Sequence, residues 1–416
     1  MSSAFTAADA ERYLLGLELF GMRFGLDRMR RLMTVLGHPE RAFDAIHVVG
    51  TNGKSSTVRM IAAILQRHGL RTGAYLSPHL VEFAERIRID DHDLDPAAFA
   101  AAVQRVVGAA AKVDRTLEDD DRVTQFEALT AAAYSELARS GVDAAVIEAG
   151  LGGRYDATSV IDSRVQVLTN VGLEHQRWLG PTLRDIAREK LAVVRPGGTL
   201  VCGDLAPEVE EEACAAAEAA EARLVFAPAD PGVPVAAPGA FQRRNFAVAL
   251  AAAEAFLGRL DAVAVREAAS AVQVPGRLQV VERDPLTVVD GAHNPSGMAA
   301  LVDALPEVVG ERPVVAVVAV LDDKDVAGLL GELEPVVSAV VVTANTSPRA
   351  LPVDALAEVA AEVFGDDRVV SASRLDDAIE RAIALAEAGP LGGGGVLVTG
   401  SIVTVGEARR LLRGRS

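Results

Sequence analysis

Lysine is nearly missing from this sequence. Of its 41 basic residues only four are lysines: Lys54, Lys112, Lys190 and Lys324. Wherever a plain positive charge serves, the chain uses arginine. The lysines that remain are candidates for work arginine cannot do, as a compact point charge on a phosphate or an amine able to lose its proton. Lys112, in Ala111-Lys112-Val113-Asp114-Arg115 before an acidic run, reads as a leftover. Cysteine is scarcer still: Cys202 and Cys214 do not make a disulfide framework. Aromatic residues are 4% of the chain, so alanine and valine must build its core. No uninterrupted apolar run is long enough to span a membrane, and Met1–Ala7 lacks the basic, apolar, cleavable pattern of a signal. These absences lead us to expect a cytoplasmic protein with no membrane partner. The net charge of −17 argues against a nucleic-acid partner, because phosphate backbones need a basic face. Small anionic substrates need only a local positive pocket.

What is present is organised around residues 45–60. An apolar run, Ala45 to Val49, ends in Gly50. Thr51-Asn52-Gly53 makes a tight turn, and Lys54-Ser55-Ser56 opens an amphipathic stretch reaching about His68. Strand, glycine turn and helix are the layout of a phosphate-binding loop. Backbone N–H groups at the helix start point at an anion and the helix dipole favours negative charge there. Lys54 can reach the β/γ-phosphates, and a hydroxyl at Ser55 or Ser56 can face a phosphate or its Mg²⁺. Val48 stands where the standard loop has glycine.

At 416 residues the chain has room for two or three domains. Residues 6–37 read as helices, and the arginines of Gly25–Met33 are either a solvated face or a contact to an anionic substrate. Strands are expected over 71–76 and 86–90, the first ending at Ser77-Pro78-His79-Leu80. A helix covers 95–117, and the acidic run Glu118–Asp121 reads as a solvated loop. Thr124 and Glu127 hold capping-box positions. Ala144–Glu148 is a buried strand ending in a carboxylate, where a phosphate-loop protein holds Mg²⁺. Leu151–Ala157 is a glycine loop. The strand over 165–170 leads to His175, a further polar group on the same edge. Lys190 lies on the helix after it, a strand covers 198–202, and helices cover 207–222 and 241–258. Val274-Pro275-Gly276-Arg277 breaks both kinds of element and divides residues 1–275 from 276–416. Beyond it strands at 286–290, 313–320, 338–343, 367–371 and 395–399 alternate with helices, which means a parallel sheet with right-handed crossovers. No dinucleotide fingerprint follows Val289, and Gly392–Gly395 reads as a flexible joint.

In order along the chain, Gly50-Thr51-Asn52-Gly53-Lys54, Ser77-Pro78-His79-Leu80, Glu85-Arg86-Ile87, Gly150-Leu151-Gly152-Gly153-Arg154 and Asp290-Gly291-Ala292-His293-Asn294-Pro295 resemble the folylpolyglutamate synthase/dihydrofolate synthase family of the Mur ligase superfamily. The resemblance runs from Gly25 to Ser401. It implies an α/β protein, with an N-terminal ATP-binding domain of the phosphate-loop type on a parallel sheet and a smaller Rossmann-like C-terminal domain. It implies that Thr51, Asn52, Gly53, Lys54 and Ser55 hold the ATP phosphates. Ser77, Glu148 and His175 match Mg²⁺ ligands, and Lys190 matches a lysine that is carbamylated and helps bind a second Mg²⁺. Asn245, Arg277 and Asp290 match ATP contacts. Thr124, Gln125, Phe126 and Glu127, with Tyr155, Asp156 and Ala157, match contacts to the pterin substrate. His293 falls in a motif linked to glutamate and phosphate handling. The chain departs from the family pattern in Ser55, where glycine is frequent, in Glu174, where aspartate is usual, and in Tyr155, where leucine is common.

The implied activity joins L-glutamate to dihydropteroate and to folates through an acyl phosphate, by a monomer. The alternatives are a folylpolyglutamate synthase alone, a cell-wall Mur-type ligase acting on a UDP-linked substrate, and a nucleotide-binding regulator. The first 44 residues offer no extra α/β domain to hold UDP. A regulator would leave the Lys190 and His293 stretches without a task.

Overall fold

The computed structural model describes residues 5–17, 25–118, 121–388 and 393–413. Its contacts divide the chain into two compact units. One is Met1–Ala236 with Arg244–Val272, the other Ala237–Arg243 with Gln273–Ser416.

The first unit is built on eight strands: β1 (Asp44–Val49), β2 (Thr72–Tyr75), β3 (Ile87–Ile89), β4 (His92–Asp93), β5 (Ala144–Glu148), β6 (Ser163–Leu168), β7 (Thr199–Cys202) and β8 (Arg223–Phe226). Their order is β4-β3-β2-β5-β1-β6-β7-β8. Pairing is parallel from β2 through to β8, and antiparallel for β2–β3 and β3–β4. The central strands β1 and β5 are buried on both faces, which is why they read as mainly apolar runs, and β6 is buried except at Arg164. One face packs under helices Pro96–Asp114 and Gln125–Arg139 through Phe99, Val103, Leu129 and Tyr134. The register pairs Val48 with Glu148 and Val49 with Leu168, so these neighbouring parallel strands present their carboxyl ends on one edge.

The second unit holds β9 (Gln279–Arg283), β10 (Leu286–Val289), β11 (Val314–Val318), β12 (Ala339–Val342), β13 (Val369–Ser371) and β14 (Gly395–Thr399), ordered β13-β12-β11-β14-β10-β9. All neighbours are parallel except the β9–β10 hairpin. β14 lies between β10 and β11, so the strand order reverses there, and such a switch point opens a crevice outside the carboxyl ends.

Within the described residues the expected strands and helices fall where the sequence places them, within a few residues, and residues 18–24 of the helical stretch 6–37 lie outside the described residues. The structure adds β8, the helix Ala262–Ala271 and β9, which the sequence reading left unassigned. β8 and β9 are edge strands with half-exposed residues on both faces, so neither shows an apolar stripe. Residues 119–120 of the acidic run and Gly392 of the glycine joint lie outside the described residues. The described end of the run is not merely solvated, because Asp121 binds Arg28 at 2.7 Å.

Arg28 resolves its own question in a third way. It is 7% exposed, and its Nε donates to both carboxylate oxygens of Glu127 at 3.0 Å. Arg28→Ala should cost about 3–5 kcal/mol, because it strands a buried carboxylate. Urea unfolding with an unchanged slope and a lowered midpoint would show it, and a loss below about 1 kcal/mol would contradict it.

Candidate active site

Four polar positions stand at the carboxyl ends of adjacent parallel strands: Ser77 after β2, Glu148 ending β5, the loop Gly50–Gly53 after β1, and His175 beyond β6. The loop is fixed by its neighbour. Thr51 N–H donates to the Asn170 carbonyl at 3.0 Å and Asn52 N–H to Asn170 Oδ1 at 2.9 Å. Thr169 Oγ1 donates to the Asn52 carbonyl at 2.6 Å. Gly172 N–H donates to Thr51 Oγ1 at 3.0 Å. Thr169, Asn170 and Gly172 were assigned no task from the sequence. Their one signal is a polar Thr-Asn pair ending an apolar strand.

Gly53 caps the helix Lys54–Arg67 with φ +81°, a conformation side chains rarely adopt, and an added Cβ would fall 2.4 Å from Asn245 Oδ1. This puts Asn245 against the loop. Gly53→Ala should cost about 1–2 kcal/mol from the left-handed backbone alone. A thermal melt reads it, and an unchanged midpoint would contradict the strain.

Both site lysines of this unit reach the same acceptor. Lys54 Nζ donates to the carbonyls of Gly50 at 3.1 Å and Thr51 at 2.9 Å, and Lys190 Nζ to the Gly50 carbonyl at 2.7 Å. Lys190 is 5% exposed. Burial first, and then the Lys54 charge, bring its pKa down to about 7. Two ammonium groups on one carbonyl favour neutralising the more buried.

Ser55 Oγ donates to Glu148 Oε1 at 2.9 Å, and Ser77 N–H to Glu148 Oε2 at 3.1 Å. Ser55, rather than Ser56, therefore faces the carboxylate. His175 has a left-handed backbone at φ 54° and starts the short helix Gln176–Leu179. Its Nε2 lies 3.7 Å from Glu174. Among the described residues no three His, Cys, Asp or Glu side chains converge into a metal cage. A cation here would rely on the Ser55 hydroxyl and Glu148 carboxylate, the pairing that phosphate-loop enzymes use with ligand oxygens completing the shell.

The expected pterin contacts separate by structure. Thr124 and Glu127 form the reciprocal capping box, and Gln125 Nε2 donates to the Leu14 carbonyl at 2.9 Å. These three side chains are buried and committed internally. Phe126 is half-buried and packs over Gly150, where an added Cβ would fall 2.7 Å from the ring. Tyr155 is 48% exposed, whereas Ala157 is buried. Asp156 is buried too, accepting from Leu151 N–H at 2.8 Å and from Thr158, and burial pushes its carboxyl up.

In the second unit, Asp290 directly follows β10. It accepts from the Leu278 and Ala292 N–H groups, each at 2.7 Å. Arg277 reaches toward Gly291, whose added Cβ would meet its guanidinium at 2.4 Å. His293 Nδ1 lies 2.8 Å from the Gly291 carbonyl. A carbonyl only accepts, so Nδ1 carries the hydrogen and Nε2 is the basic nitrogen. Arg277, Asp290 and His293 are thus gathered at the end of one strand.

Comparison with known proteins names the class. The model of the Mur ligase glutamate ligase domain matches residues 276–402. The chain is 38% identical to the dihydrofolate synthase/folylpolyglutamate synthase of Mycobacterium tuberculosis, over 93% of this chain and 89% of that one. It is 32% identical to the folylpolyglutamate synthase of Lacticaseibacillus casei, over 93% and 94%. The M. tuberculosis folylpolyglutamate synthase complexed with ADP superposes with a TM-score of 0.92 at 38% identity, covering 98% of each chain. E. coli FolC in complex with DHPP and ADP does so at 0.87 and 29%, covering 99% of each. The chain belongs to the dihydrofolate synthase/folylpolyglutamate synthase family, within the Mur ligases.

Proposed function

We propose that this chain is an ATP-dependent ligase that joins L-glutamate to dihydropteroate and to folates. The observation that carries the reading is the convergence of Lys54 and Lys190 on the Gly50 carbonyl, on the strand edge that also holds the Ser55–Glu148 pair. A phosphate loop alone would need one lysine. A second, buried and close to neutrality, suits a group that accepts CO₂ and becomes a carbamate, releasing one proton. Relatives solved with ADP support nucleotide binding.

In this reading Thr51, Asn52, Gly53, Lys54 and Ser55 hold the phosphates, with Asn245, Arg277 and Asp290 as further nucleotide contacts. Glu148 with the Ser55 hydroxyl, together with Ser77, His175 and carbamylated Lys190, would hold two Mg²⁺ ions. When bound, the metal neutralises the phosphoryl group in transfer. Phe126 and Tyr155 supply ring surface to the pterin, and the buried Thr124, Gln125, Glu127, Asp156 and Ala157 fix the walls behind it. The acceptor carboxylate gains a phosphoryl group and becomes an acyl phosphate, from which the glutamate amine displaces phosphate. Lys54 holds charge opposite the transferring group, and the basic Nε2 of His293 serves the glutamate amine or the departing phosphate. In this division of labour Met1–Ala236 with Arg244–Val272 carries the phosphate loop and the pterin contacts, and the second unit carries Arg277, Asp290 and His293. We further propose a cytoplasmic monomer with no nucleic-acid partner.

ADP release with glutamate and either dihydropteroate, tetrahydrofolate or a UDP-peptide tests the reading. Turnover is expected with the first two. Tetrahydrofolate alone would make it a folylpolyglutamate synthase only, UDP-peptide alone a cell-wall ligase, and none a regulator. Glu148→Gln should raise the Mg²⁺ needed for half-maximal ADP release at least about tenfold, because a neutral amide holds a divalent cation poorly. A Mg²⁺ titration matching the parent would move the metal elsewhere.

A further inference from the structure

Glu85-Arg86-Ile87 has no task in the scheme above, yet Arg86 stands beside its metal pair. Its carbonyl accepts from Leu76 N–H at 2.8 Å, which sets it next to the loop that begins at Ser77. It is 9% exposed. Its Nε donates to His79 Nδ1 at 2.9 Å, and its guanidinium lies 5.3 Å from the centre of the Phe83 ring. The Tyr75 hydroxyl is also near, and burial pushes that phenol up, so it stays neutral. None of these neighbours is an anion.

Among the described residues no carboxylate comes within ion-pair distance of Arg86. Two carboxylates lie within reach of its charge, Glu148 and Glu85. Glu85 is already engaged, accepting from the N–H groups of Leu80, Val81 and Glu82 at 2.9, 3.1 and 3.2 Å. Arginine cannot shed its proton. Glu148, itself 1% exposed, therefore feels a permanent buried cation from a short way off. That cation steadies the carboxylate when no metal is bound. It also repels any divalent ion that approaches the same carboxylate, and in a low-dielectric interior such repulsion is not screened away.

We propose that Arg86 sets the order of arrival at this site, keeping a divalent cation off the Ser55–Glu148 pair until the nucleotide's phosphates bring charge with it. Arg86 touches no substrate in this role. It is a positioning residue that acts through Glu148. The inference rests on the reading of Ser55 and Glu148 as a metal pair.

The test is Mn²⁺ binding to the full chain, read by electron paramagnetic resonance with and without saturating ADP. The parent should bind Mn²⁺ at least about tenfold more weakly without ADP than with it, the scale of one unscreened charge contact. Arg86→Met should bind Mn²⁺ without ADP at least about tenfold more tightly than the parent does. Arg86→Lys keeps the charge and should match the parent, which a purely structural role for the guanidinium would not produce. Two results overturn the proposal: a folded Arg86→Met with parental nucleotide-free affinity, or a parent that binds Mn²⁺ equally with and without ADP. The second needs no variant and decides the matter if Arg86→Met does not fold. Mn²⁺ absent from the protein even with ADP would overturn the metal pair itself.

Discussion

Lys54→Ala should lose about a thousandfold in kcat while keeping its fold, the scale of removing one preorganised charge from a transition state. The side chain is half-buried and its Nζ rests on the Gly50 and Thr51 carbonyls, inside the loop it would serve. These carbonyls stay held from the other side, Gly50 by Lys190 and the turn by Asn170 and Thr169. The variant should therefore unfold near the parent's midpoint. It should also change Lys190. The Lys54 charge is one of the two causes that lower the Lys190 pKa, so its loss lets Lys190 keep a proton to higher pH. The residual activity of Lys54→Ala should then rise with pH over a range displaced upward from the parent's. Near-normal turnover would sink the nucleotide assignment.

The parallel strands that carry the site were legible because each is a buried apolar run stopped by glycine or a polar group: Val49 before Gly50, Glu148 before Gly150, Val289 before Asp290. Period and punctuation suffice for such elements. β9 and the helix Ala262–Ala271 were not legible, one being a half-exposed edge and the other a short helix whose buried stripe, Ala264, Val265, Ala268 and Ala269, is mostly alanine and so a weak apolar signal. Among site residues, chemistry-bearing side chains at strand ends could be named, but their partners could not. For Arg28 a solvated face and a contact to an anionic substrate both stayed open, because nothing local shows that Glu127 waits beside it 99 residues later. The capping box at Thr124 reads the same whether or not substrate lies against it. Only the fold shows that Thr124, Gln125 and Glu127 are committed, leaving Phe126 and Tyr155 as the rings of that group that reach solvent. Arg86 was singled out by its motif, but its relation to Glu148 lies in the pairing of β2 between β3 and β5.

Lys190→Ala and Lys190→Arg should both be nearly inactive, by about a thousandfold or more, and the arginine variant is the sharper test. Arg188 lies two residues away and binds Glu212, so this helix carries arginine readily on its outer face. Position 190 faces inward and is buried. Arginine there keeps the positive charge but can neither lose a proton nor react with CO₂. Lysine can, because its pKa near 7 leaves a large share of neutral amine at physiological pH. The linkage has a definite sign. The folded pKa lies below the unfolded value of 10.5, so between about 7 and 10.5 the unfolded chain holds a proton that the folded chain has released. Stability from this group is therefore least below pH 7 and grows as pH rises through that window. Lys190→Met removes the burden, so its gain over the parent should be larger at pH 6 than at pH 9, read by urea midpoints in CO₂-free buffer. The carbamate makes a separate demand: activity of Lys190→Ala should be partly restored by a short-chain carboxylic acid in solution, which supplies the missing anion, and Lys190→Arg should not be restored because its side chain fills the space. If Lys190→Arg retains most of the activity, Lys190 is a simple cation and the carbamate is wrong.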